Sequence, residues 1–102
     1  MNMRNLAQMA QQMQAEMARV QAEVEALVVE TSAGGGAVKA VVNGKQEVVS
    51  VTIDPGAVDP DDVEMLQDLI TAAVNDGLRQ VRDTAATKMA RVTGGLRLPG
   101  LG

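Results

Sequence analysis

The chain has 102 residues, a formal charge of −4, 46% hydrophobic residues, and no Phe, Tyr, Trp, His or Cys. That length gives one domain, and so small a domain buries only a modest share of its surface on folding, so a partner chain would add stability. The composition excludes disulfides, thiolate nucleophiles, imidazole bases and the usual zinc, haem and iron–sulfur ligands, and leaves Ala, Val, Leu, Ile and Met to build a core from many small contacts.

The chain runs from Arg4 into Gln-rich sequence rather than an apolar signal core. No stretch nears the roughly 20 apolar residues that span a bilayer. A soluble cytoplasmic protein with no membrane partner is expected.

From Met3 to Leu27, the residues Leu6, Met9, Met13, Met17, Val20, Val24 and Leu27 recur at three- and four-residue intervals among Gln, Glu and Arg. This pattern predicts an amphipathic helix. Val28–Thr31, Val38–Val42 and Val48–Ile53 follow as β-branched runs, which predict three short strands. Gly34-Gly35-Gly36 joins the first two loosely. Asn43-Gly44 signals a type I′ hairpin between the second and third, so the strands are antiparallel. Val49, Val51 and Ile53 alternate onto one face, expected to meet the helices.

Asp59-Pro60-Asp61-Asp62 reads as the start of a second helix, with Asp59 as cap and Pro60 at the first helical position. Its apolar stripe runs from Val63 through Leu66, Leu69, Ile70, Ala73, Val74, Leu78, Val81, Ala85 and Met89 to Val92, and Gly94-Gly95 is a natural stop. The expected organisation is α+β, α-β-β-β-α, with one domain over residues 1–95 and a flexible tail over 96–102.

The two helices would be about 35 and 45 Å long, whereas a compact globule of this length is about 30 to 35 Å across. Their ends must project. The helices are expected to run antiparallel with knobs-into-holes contact, and a second copy of the chain to cover the apolar side of the sheet.

Several motifs have plainer readings. The Gly34–Gly36 run lacks phosphate-loop spacing and is not followed by a helix. Met9, Met13 and Met17 could stack three thioethers for a cuprous ion, but methionine on an apolar stripe is ordinary packing. Asp59, Asp61 and Asp62 lack the ligand ladder of an EF-hand and suit a helix start. No nucleophile has an adjacent base, so neither enzyme activity, small-molecule substrate, metal nor cofactor is expected.

The informative charges are basic. No Lys or Arg falls between Lys45 and Arg79, whereas Arg79, Arg82, Lys88, Arg91 and Arg97 follow against Asp83 alone. The helix macrodipole accounts for part of this polarity. In an antiparallel pair, the end of the second helix is expected beside the start of the first, where Arg4 and the α-amino group would make a basic tip. Such a tip on an acidic protein can hold a polyanion, and without aromatic stacking platforms duplex DNA is the better fit than single strands.

Gln11-Gln12-Met13-Gln14 with Met17, Val51-Thr52-Ile53-Asp54-Pro55, the run Met65–Asp76, Lys88-Met89, Val92-Thr93-Gly94-Gly95-Leu96 and Leu98-Pro99-Gly100 together resemble the YbaB/EbfC family of bacterial nucleoid-associated proteins. The resemblance covers essentially the whole chain. It implies a tweezer-like homodimer whose protruding helices bind duplex DNA, in the nucleoid, for nucleoid organisation or gene regulation. Arg4, Arg19, Arg79, Arg82, Lys88, Arg91 and Arg97 are the candidate phosphate contacts. Two features depart from the family pattern: the first helix carries only Arg4 and Arg19 where relatives often carry several lysines, and Gly77 stands where Ala is more usual. Gly77 costs about 1 kcal/mol of helix stability against Ala and marks a bend or a close contact. The alternative function is a protein-interaction scaffold using the Met-rich helix face and Leu96, Leu98 and Leu101.

Overall fold

A computed structural model describes residues 2–95, with side chains for 2–92. The order is α1 (Met3–Glu25), β1 (Val28–Ala33), β2 (Val38–Asn43), β3 (Val48–Ile53), a 3-10 turn (Pro55–Ala57) and α2 (Val63–Gly95). The expected α-β-β-β-α fold is present, and the sheet is antiparallel in the order β1-β2-β3. The proposed tail, 96–102, lies outside the described residues.

Asn2 starts α1, its Oδ1 accepting from Arg4 N–H at 3.0 Å. The start of α2 differs from expectation. Asp59-Pro60 forms a turn, in which Asp59 accepts from the Asp61 and Asp62 N–H groups, and the helix begins only at Val63. Asp62 Oδ1 accepts from Met65 N–H at 3.2 Å and is therefore the cap.

The β2–β3 connection also differs. Positive φ falls on Gln46 (61°) rather than on Asn43 or Gly44, so the turn is not type I′. Asn43 Oδ1 accepts from Lys45 and Glu47 N–H instead, and Gln46 N–H donates to Asn43 O. Gly44 serves another purpose. Its N–H donates to Leu27 O at 2.9 Å, and a β-carbon there would stand 1.5 Å from the Val24 carbonyl oxygen. The glycine allows the hairpin to seat directly on the end of α1.

Beyond this turn the ladder slips by one residue, pairing Val41 with Ser50 but Val42 with Val48. Val49 is the extra residue of a bulge, and Val48 takes its place on the face shared by Val51 and Ile53. Val38, Ala40 and Val42 of β2 carry the buried side of the sheet and are fully enclosed. Helix α2 crosses β1 and β2, so Ile53 alone of that β3 row joins the core with Ala73, Leu66, Leu69 and Ile70. Val48 and Val51 remain exposed.

Helix α2 comes close to the sheet at Gly77, where an added β-carbon would stand 2.7 Å from Val42 Cγ2, and one turn earlier Thr31 Oγ1 donates to Ala73 O at 2.6 Å. Gly77 therefore marks a close contact. Past it, α2 leaves the sheet and pairs with α1 through Val20, Val24, Val92, Ala85 and Met89. The molecule measures 71 × 24 × 16 Å with a radius of gyration of 20.3 Å, against about 13 Å for a compact chain of this length. The helices project, as their lengths require.

Candidate nucleic-acid interface

Helices α1 and α2 run antiparallel, with Val92 packed near Val20 and Lys88 Nζ 3.3 Å from Glu23 Oε2. This register fixes the extent of the pair. The C-terminal end of α2 comes beside the middle of α1, and Arg4 lies about 24 Å further along α1 than Val20 at 1.5 Å per residue. The expected juxtaposition of Arg4 with the basic end of α2 is therefore not formed. Among the described residues the N-terminal half of α1 projects alone, leaving Leu6, Met9, Met13 and Met17 between 39% and 49% exposed. Mutual covering of the stripes is confined to the other half.

The candidate cations fall into three groups. Arg4 is exposed on the projecting part of α1. Arg79 and Arg82, three residues apart, share one flank of α2. Arg19, Lys88 and Arg91 line a cleft of about 140 Å³ between the helices, together with Glu16, Val20, Glu23 and Val92. Because a helix turns about 100° per residue, Arg82 and Arg91 point in nearly opposite directions. The cations of α2 flank its buried stripe on both sides rather than forming one face. Arg97 lies outside the described residues.

Pairing separates them further. Arg19 donates to Glu16 Oε2 and Glu23 Oε1, each at 2.6 Å, and Arg79 donates to Asp76 Oδ1 at 2.6 Å. Hydrogen bonding from Arg19, reinforced by its charge, holds the Glu16 carboxyl below the usual range. The Arg19 guanidinium is in turn pushed up, chiefly by its hydrogen bond to Glu16. Among the described residues, Arg4, Arg82 and Arg91 make no ion pair. Acids gather elsewhere, with Asp54, Asp59, Asp61, Asp62, Glu64 and Asp68 around the start of α2. No group of three or more metal-ligating side chains occurs among the described residues, and no described helix is long and apolar enough to cross a membrane.

Residues 1–96 match the model of the YbaB/EbfC DNA-binding family. The chain belongs to that family. Its relatives include a nucleoid-associated protein of Syntrophobacter fumaroxidans, 56% identical over 97 residues that span 95% of this chain and 88% of the relative. A nucleoid-associated protein of Moorella thermoacetica is 54% identical over 103 residues, spanning 98% and 99%. The crystal structure of an uncharacterized protein, HP0035, from Helicobacter pylori superposes with a TM-score of 0.75, covering 91% of this chain and 98% of that one at 24% identity. That likeness concerns the fold alone. The whole-chain YbaB/EbfC resemblance read from the sequence motifs is thus established.

Glu16 and Glu23 are parts of this surface that no sequence motif singles out. Their signal was present in the three- and four-residue spacings to Arg19, which place opposite charges side by side on a helix. The contact of Glu23 with Lys88 had no such local signal.

Proposed function

We propose that this chain is a non-enzymatic, nucleoid-associated protein that binds duplex DNA as a homodimer, mainly through phosphate contacts, in nucleoid organisation or gene regulation. The carrying observation is the segregation of charge along an elongated molecule. Acids cluster where α2 begins on the sheet, and Arg79, Arg82, Lys88 and Arg91 occupy the half that runs out along α1. A net negative charge then coexists with a local field that attracts a polyanion. Phosphate contacts position a protein on the duplex without reading bases, so sequence preference would come from DNA shape.

The homodimer reading rests on β3. This edge strand leaves Val48, Val49 and Val51 exposed, and Val58, Val63 and Met65 are also exposed nearby in sequence. An open sheet edge with apolar side chains invites pairing, and a second copy offers the same surface in return. Sedimentation velocity on the full chain tests it: a dimer supports the assignment, and a monomer at all concentrations contradicts it. Anisotropy of a labelled random-sequence duplex tests the DNA reading, which requires saturable, salt-sensitive binding.

The exposed Leu6, Met9, Met13 and Met17 stripe favours a second reading, capture of a protein partner by an adaptable methionine face. Under that reading, replacing Arg79, Arg82 and Arg91 by Glu leaves partner capture intact. Under the DNA reading the same change abolishes binding.

A further inference from the structure

The seam between α1 and α2 holds three cations and two carboxylates around one cleft. Arg19 comes from α1, Lys88 and Arg91 from α2, and Glu16 and Glu23 from α1. Glu23 is central to this arrangement. Its Oε1 accepts from Arg19 at 2.6 Å and its Oε2 faces Lys88 Nζ at 3.3 Å, the one ion pair joining the helices among the described residues. A single carboxylate thus bridges cations of both helices, much as one phosphate with two free oxygens would. Arg91 lines the same cleft with no ion pair among the described residues. With a water occupying about 30 Å³ of liquid, a cleft of about 140 Å³ admits a tetrahedral oxyanion.

We infer that the α1–α2 cleft is a subsite for one phosphodiester group of a DNA backbone, with Glu23 as the placeholder that the phosphate displaces from Arg19 and Lys88. This rests on the duplex-DNA reading above. Glu23, Arg19 and Lys88 are all partly open to solvent, where ion pairs are weak, so exchange of carboxylate for phosphate is easy. Arg91 supplies the charge that the carboxylate leaves unneutralised and favours the more highly ligated anion. Glu16 retains one nitrogen of Arg19 throughout and keeps the guanidinium aligned along α1. In this scheme Glu23 opposes binding and sets its strength, while Lys88 and Arg91 promote it.

The test is a titration of a fluorescein-labelled random-sequence duplex with the full-length protein, comparing wild type, Glu23→Gln, Lys88→Gln/Arg91→Gln and Asp68→Asn. Asp68→Asn changes net charge as Glu23→Gln does, but at the acidic end of α2, beyond the screening length of about 10 Å at 0.1 M salt. Glu23→Gln should bind about fivefold more tightly, the gain expected from removing one unit charge some 4 Å from a phosphate in water. Asp68→Asn should match wild type. Lys88→Gln/Arg91→Gln should lower the slope of log K against log salt by about 0.9, the worth of the one phosphate neutralised at this subsite. Adding Glu23→Gln to that background should give little further gain. Circular dichroism melts verify that each variant folds.

The inference is overturned if Glu23→Gln binds no more tightly than Asp68→Asn, or if Lys88→Gln/Arg91→Gln leaves the salt slope unchanged while wild type binds. Wild-type protein that binds no duplex even at low salt overturns the DNA reading itself, and the subsite with it.

Discussion

The backbone of Gly77 lies so close to Val42 that a β-carbon there would stand 2.7 Å from Val42 Cγ2. The same added carbon would approach Thr31 Oγ1 to 3.3 Å. Alanine would raise intrinsic helix stability by about 1 kcal/mol, but overpacking a filled core typically costs about 1 to 3 kcal/mol. Val42 is fully buried and has nowhere to retreat. Gly77→Ala should therefore lower stability, read as a reduced urea midpoint with an unchanged m-value.

Thr31 is the one buried polar side chain among the described residues, and its hydroxyl donates to Ala73 O at 2.6 Å. Thr31→Val preserves the shape and removes the donor. The expected loss is about 1 kcal/mol, measured by the same denaturation. A neutral result would mean that the hydrogen bond contributes nothing net to docking α2 on the sheet.

Gly44 should tolerate no side chain. The Val24 carbonyl oxygen occupies the place of its β-carbon, so Gly44→Ala must push the β2–β3 hairpin off the end of α1 and weaken the bond to Leu27 O. A loss of at least about 2 kcal/mol is expected. Equal loss for Gly35→Ala would be surprising, because space is open there and only its positive φ of 68° is strained.

These two glycines show where sequence reading stops. Asn43-Gly44 correctly announces a hairpin, because its composition is local, yet the reason for the glycine is a contact with Val24 from another element. Gly77 advertises a bend or a close contact, and only the docking of α2 on β1 and β2 decides between them. The helix stripes and β-branched runs were legible because periodicity reflects burial. The slip at Val49, and with it the exchange of Val48 for Val49 on the inner face, follows from a longer turn that Asn43-Gly44 alone does not specify. Cation positions were legible, but their partners across the helix seam were not, since the register that sets Lys88 beside Glu23 depends on packing of Val20, Val24 and Val92.

If β3 is where a second copy docks, Val51→Asp should turn a dimer into a monomer without unfolding the chain. Val51 is 39% exposed in the isolated subunit, so a carboxylate is tolerated there but would be desolvated in a dimer interface, at a cost of several kcal/mol. Sedimentation velocity and circular dichroism together check both halves of this expectation.

The most direct test of the central claim is the salt dependence of duplex binding by wild type and by Arg82→Gln/Arg91→Gln, the cations of α2 that make no ion pair among the described residues. Wild type should bind saturably with an affinity that weakens linearly in log salt, and the double variant should show a slope shallower by about 1.8. Identical slopes would contradict contact through these arginines, and absence of binding by wild type at low salt would contradict the DNA-binding function itself.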